Sequence, residues 1–174
     1  MVPCHSRLFF ALWPDDTGRA SIEPFALRFH KEFGGRRTAP ESRHITLAFL
    51  GQTPDARIAV LDEMSRSINT PRFKLCLTRA GGWPGGIFWL APSLVPDELT
   101  MLGNALREAL EAGGFPFDRK PFVPHVTLLR KARGPTAEIA IDSVEWAFND
   151  FALVKSVGGP GGVRYKVICR FPLQ

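Results

Sequence analysis

The chain of 174 residues is 45% hydrophobic and 22% charged, with a formal net charge of +5. That is the size of a single domain spanning 1–174, with enough apolar content to bury a core without disulfide or metal clamps. No apolar stretch approaches the roughly eighteen residues of a membrane-spanning helix. The positive charge favours an anionic partner without defining one, because the same charge also merely keeps a small domain soluble.

Leu8 to Trp13 is a short aromatic and apolar run that reads as a buried first strand. It is too short for the hydrophobic segment of a secretion signal, and no small-residue cleavage site follows, so the chain reads as cytoplasmic. From Thr17 to Phe33 the spacing changes: Ile22, Phe25, Phe29 and Phe33 mark one face of a helix. Pro24 is expected in the first turn of its regular part, and Gly34-Gly35 at its end. His44 to Gly51 reads as a strand. Thr53-Pro54 predicts an N-cap and first position for a second helix, with Ile58, Leu61, Met64 and Ile68 inward.

Phe73, Leu75 and Leu77 alternate with polar positions as in a half-buried strand. Gly81 to Gly86 is a turn and Ile87 to Leu90 a returning strand. A third helix opens at Pro96-Asp97-Glu98, with Leu99, Leu102, Leu106 and Leu110 on one face and Gly113-Gly114 at its end. Strands follow at His125–Arg130, Phe151–Val157 and Tyr165–Phe171, the last two joined as a hairpin by the glycine-rich Gly158–Gly162. The order predicts an α+β fold of two similar lobes, mainly antiparallel sheet with helices outside, related by a pseudo-two-fold with a groove between them.

Cys4, Cys76 and Cys169 show neither CxxC nor Cys-His spacing, which argues against a disulfide framework or zinc site. Cys76 and Cys169 read as small buried hydrophobes. The chain has four histidines. Two of them open nearly identical tetrapeptides, His44-Ile45-Thr46-Leu47 and His125-Val126-Thr127-Leu128. One such motif fits an ordinary strand, whereas two at equivalent points of two lobes point to a shared site. Strand alternation puts His44 with Thr46 on one face and Ile45, Leu47 and Phe49 on the other. His125 and Thr127 likewise oppose Val126 and Leu128. Two imidazoles and two hydroxyls meeting across a groove suit phosphodiester chemistry: one imidazole accepts a proton, the other donates one, and the hydroxyls hold phosphate oxygens. With no carboxylate or cysteine at fixed spacing a metal site would be underfilled, so neither metal nor other cofactor is expected.

These motifs resemble the two-histidine (2H) phosphoesterase superfamily. The closer similarity is to the bacterial and archaeal RNA 2′,3′-cyclic phosphodiesterases, also called 2′-5′ RNA ligases. It extends over nearly the whole chain: Arg7 to Leu12, Glu41 with His44 through Gly51, Phe88-Trp89-Leu90, Lys120 through Arg130, and Tyr165 through Leu173. The resemblance implies hydrolysis of a terminal RNA 2′,3′-cyclic phosphate to the 2′-phosphomonoester, with reversible 2′-5′ joining in some members. It assigns His44 as proton donor to the leaving 3′ oxygen and His125 as acceptor from water. Thr46 and Thr127 would hold the phosphate, and Arg130 matches a phosphate-binding position. Strict alternation places Arg130 opposite His125, so that role requires a bulge or a strand end. Two departures are Arg43, where the family more often has an apolar or aromatic residue, and Gly86, where relatives often carry Arg.

Arg36, Arg37, Arg43, Lys120, Arg130, Lys131 and Arg133 cluster in sequence around the motifs and would form an electrostatic funnel for an RNA end. Phe122 and Trp83 are candidates for base stacking. The expected partner is an RNA end bearing the cyclic phosphate, acted on by a monomer with no membrane and no obligatory protein partner. The competing readings are a phosphodiesterase for a small cyclic nucleotide or ADP-ribose cyclic phosphate, an RNA-end-binding protein without turnover, and, more weakly, a metalloprotein.

Overall fold

The structure is a computed structural model and describes residues 4–159 and 162–174. Its first strand, β1 (His5–Leu12), is apolar on both sides because both of its faces are covered. Leu8, Phe10 and Leu12 enter the main core, while Phe9, Ala11 and the following Trp13 build a smaller cluster on the opposite face. Helix α1 (Asp16–Phe33) is capped by the Asp15 carboxylate, which accepts from the Gly18 amide at 2.8 Å. Pro24 lies in its interior, against the expectation that regular helix would begin there. Packing on both sides of the proline holds the helix through it: Ile22, Ala26 and Phe29 are fully buried. The Trp146 indole N–H also donates to the Gly18 carbonyl at 2.8 Å, tying down the first turn.

A two-residue strand, β2 (Arg36–Arg37), precedes β3 (Ile45–Pro54). Thr53-Pro54 does not cap a helix. Both residues end β3, paired with Ser6 and His5 of β1, and α2 (Ile58–Arg66) starts only after a 3-10 turn at Asp55–Arg57. A strand end tolerates a missing N–H as readily as a helix start does, and the Ser6 hydroxyl donates to the Asp55 carboxylate. Then follow β4 (Phe73–Trp83), β5 (Ile87–Pro92), α3 (Asp97–Ala112) and β6 (Val126–Arg130). The next strand, β7 (Ile139–Phe148), is absent from the sequence reading. It is an edge strand whose inward residues, Ile139 and Ile141 and then Val144, Trp146 and Phe148, change phase by one residue at a register break against β4. β8 (Asp150–Gly159) and β9 (Gly162–Pro172) form the expected hairpin, while Pro160 and Gly161 at its tip lie outside the described residues.

All strand pairings are antiparallel, in the order β7-β4-β5-β6-β3-β1-β8-β9, with β2 beside β6. The fold is therefore α+β, and its two four-strand halves meet at β6 and β3. α1, which follows β1, packs on β6 and β7 of the other half, and α3, which follows β5, packs on β3. The halves thus exchange helices, as a pseudo-two-fold between β6 and β3 requires. Helices cover one face of the sheet over the main core, and the opposite face carries a cleft.

Cys76 is exposed and Cys169 half-buried, so the expectation of two buried hydrophobes fails. Cys76 occupies the outward position of β4 between inward Leu75 and Leu77.

Candidate active site

The halves join directly through one residue pair, Ile45 with Val126. In antiparallel register about that pair, His44 falls toward Thr127 and Thr46 toward His125. All four line a cleft of about 660 Å³. Neither strand keeps strict alternation. Leu47 and Ala48 are buried in succession in β3, and Leu128 and Leu129 in β6. Each run is a one-residue bulge, against Phe10–Ala11 of β1 in the first case and against Phe88–Trp89 of β5 in the second. A bulge returns the chain to the other face one residue late. Phe49 and Arg130, at equivalent positions after the bulges, therefore come back to the histidine face and line the cleft. The bulge that Arg130 requires is present. The expectation that Phe49 points away from His44 is overturned by the same device.

The two imidazoles are held alike. Nδ1 of His44 lies 2.8 Å from the Ser42 carbonyl, and Nδ1 of His125 lies 2.8 Å from the Val123 carbonyl. A carbonyl only accepts, so in each neutral ring Nδ1 carries the hydrogen and Nε2 is free to take or give a proton. Their surroundings differ. His44 stacks on Trp13 at 4.9 Å and 5°, tilts against Phe9 at 5.0 Å, and meets the edge of Tyr165 at 5.1 Å. His125 meets the edge of Trp83 at 4.4 Å and is less enclosed.

Burial is the main cause that pushes His44 from its ordinary 6.5 to about 4; the Ser42 carbonyl opposes it, and the charges of His125 and Arg130 add to it. His125 is lowered too, chiefly by burial, against the Val123 carbonyl and with help from Arg130. Because a charge on one ring disfavours a charge on the other, the pair takes up protons one at a time.

Arg36, Arg37 and Arg130 reach the cleft, and Arg7, which the sequence reading missed, joins them with its guanidinium 4.9 Å over the Phe49 ring. Arg43 does not. Its side chain is fully buried, paired at 2.6 Å with Glu23 of α1, and its Nε donates to the Thr38 carbonyl. Glu23 also binds Arg37 at 2.6 Å, so one carboxylate anchors both a buried and a cleft arginine. Lys120, Lys131 and Arg133 are not among the lining residues. Phe122 packs against the core, and Trp83 leans on His125 rather than lining the cleft. Phe9, Trp13 and Tyr165 were also missed as site residues. Their signal was faint: cleft-side alternation within β1, and the chain's single tyrosine. Gly86 has φ +79, and a Cβ there would lie 2.9 Å from the Lys131 Cα, which explains why no arginine stands at that turn.

Two imidazoles of fixed tautomer, two hydroxyls and a guanidinium, one motif from each half of a pseudo-symmetric sheet, are equipment for acid–base chemistry on a phosphoester. The chain belongs to the 2′-5′ RNA ligase superfamily, whose pattern matches residues 14–160. It is 33% identical to the RNA 2′,3′-cyclic phosphodiesterase of Escherichia coli (strain K12), with 96% of each chain covered. It is 30% identical to the protein of the same description from Thermus thermophilus, over 97% of this chain and 90% of that one. Among solved structures, E. coli LigT complexed with 3′-AMP superposes with TM-score 0.85 at 31% identity, covering 98% of this chain and 99% of that one. No helix among the described residues is long and apolar enough to cross a membrane.

Proposed function

We propose that this protein opens the terminal 2′,3′-cyclic phosphate of RNA to a 2′-phosphomonoester, using His44 and His125 as acid and base without a metal. The observation that carries the reading is the pair of imidazoles, each tethered through Nδ1 and each facing the other motif's threonine across the Ile45–Val126 pair. The relatives described as RNA 2′,3′-cyclic phosphodiesterases support the substrate.

In this reading a water attacks phosphorus and gives its proton to Nε2 of His125. The bond from phosphorus to the 3′ oxygen breaks, and that oxygen takes the proton from Nε2 of His44. Three rings hold the flanks of His44, which leaves its Nε2 to deliver the proton to the substrate. The more open His125 is where water approaches. Thr46 and Thr127 donate to the non-bridging oxygens, and Arg130 balances the charge that gathers there. The anionic substrate offsets the burial and the neighbouring positive charges that discourage a proton on His44 in the empty cleft. If a 5′ hydroxyl attacks in place of water, the same steps form a 2′-5′ linkage. The chain works as a monomer in the cytoplasm, both halves serving one cleft.

The test is incubation, with EDTA present, with a short RNA ending in a 2′,3′-cyclic phosphate, beside His44→Ala and His125→Ala. The expected product is the 2′-phosphate, with each variant slowed about 10²–10⁴-fold. Turnover that survives both substitutions, or that EDTA abolishes, refutes the mechanism. RNA bound without turnover favours a binding protein, and turnover confined to cyclic mononucleotides favours a small substrate.

A further inference from the structure

Across Tyr165 and Ser42 from the acid–base cleft lies a second hollow of about 510 Å³, lined also by Trp13, Arg19, Glu41, Arg164, Val167 and Arg170. Tyr165 and Ser42 border both hollows, so the two are neighbours. Three of its residues are arginines, Arg19 from the start of α1 and Arg164 and Arg170 from β9, the strand at the sheet's end.

The arginine at the far end of β9 arrives by the same means as Arg130. Between Leu153 and Val154 the β8–β9 register shifts by one residue, so that Val154 faces Val167 and Leu153 faces Cys169. This bulge sets Tyr165, Val167 and Arg170 along one wall. The Arg19 side chain is partly exposed, but its Nε is buried and has no hydrogen-bond partner. The Arg19 guanidinium is held otherwise by Asp16, whose carboxylate is 98% exposed and exchanges readily with another anion. Arg170 is paired with Asp150, and Glu41 contributes one negative charge to the wall. Asp16 and Asp150 lie outside the lining, so the wall itself carries three arginines against the one carboxylate of Glu41 and has donors to offer.

Its position is informative. Trp13 and Tyr165, which wall off His44, are also its wall, so it opens on the His44 side of the site. In the proposed reaction His44 serves the 3′ oxygen, and the ribose bearing that oxygen is the end of the RNA strand. The rest of the strand continues from that ribose. We propose that the hollow of Arg19, Arg164 and Arg170 is a subsite for the phosphodiester preceding the terminal nucleotide, which makes the enzyme selective for RNA strands over cyclic mononucleotides. This rests on the reading of His44 and His125 given above.

The experiment compares wild type with the Arg19→Gln/Arg164→Gln/Arg170→Gln variant on 2′,3′-cyclic AMP and on a pentanucleotide ending in a cyclic phosphate. Wild type is expected to favour the pentanucleotide in kcat/KM by tenfold or more. The variant should lose that preference while its kcat/KM on cyclic AMP stays within about twofold. In parallel, binding of a fluorescent pentanucleotide 2′-phosphate is followed by anisotropy from low to high salt. The slope of log K against log salt should fall by about 0.7 for each phosphate that the variant leaves without an arginine. Equal kcat/KM for both substrates in wild type, or a preference and salt slope unchanged in the variant, overturns the subsite. Absence of turnover in wild type with a slope that still falls in the variant refutes the catalytic reading and leaves the subsite standing.

Discussion

Replacing His44 by Gln removes a titrating group whose burial the fold has to tolerate, and the consequence is readable in stability. The folded chain holds His44 at about 4 against an ordinary 6.5. At about 1.36 kcal/mol for each tenfold, that difference corresponds to roughly 3.4 kcal/mol. Because the ring is half-buried and borders a wet cleft, the figure is a ceiling, and about 1–3 kcal/mol is expected. Below pH 6.5 the unfolded chain binds a proton that the folded chain refuses, so the wild type loses stability relative to the variant as the pH falls. The loss begins near pH 6.5 and is complete below about 4. Urea unfolding followed by tryptophan fluorescence at pH 7, 5.5 and 4, in phosphate-free buffer, measures it. The His44→Gln protein should gain on wild type as the pH falls. A difference between the two that stays constant within about 0.5 kcal/mol from pH 7 to 4 refutes the buried, neutral state of His44.

Three further outcomes are expected. With both imidazoles lowered and one proton shared between them, the bell of kcat/KM against pH should peak on the acid side of 6.5; a maximum above pH 7 contradicts the environments described. Glu23→Gln strands the buried Arg43 guanidinium and should cost about 3–5 kcal/mol in denaturant unfolding, whereas adding Arg43→Leu should recover most of it. An additive double variant would show that the pair is not coupled. Gly86→Arg should lower the melting temperature through its positive φ and the clash with Lys131, with a cost of about 1–3 kcal/mol. An unchanged melting temperature would refute that reading of the turn.

Most elements were legible because their signals are local. The apolar stripes of α1, α2 and α3 and the alternation of β4 depend on residues a few positions apart. β7 was not, because its alternation breaks phase between Ile141 and Val144 at a register shift against β4, and Thr53-Pro54 misled because a strand end satisfies the same residues as a helix start. Arg43 looked like part of a cationic mouth because sequence proximity to His44 cannot tell which face of the chain a side chain leaves. It turns into the protein, where Glu23 of α1 meets it.

The sequence by itself determined that His44, Thr46, His125 and Thr127 form two equivalent pairs, since a strand's two-residue period is a property of the chain alone. Tertiary structure decided what the pairs face. The bulges that bring Phe49 and Arg130 into the cleft are mismatches with β1 and β5, and so exist only once strands distant in sequence have paired. The aromatic walls of His44 come from β1, the residue after it, and β9, and their effect on its proton is the sum of burial that no local window contains. Residue types follow from local spacing; protonation and access follow from long-range packing.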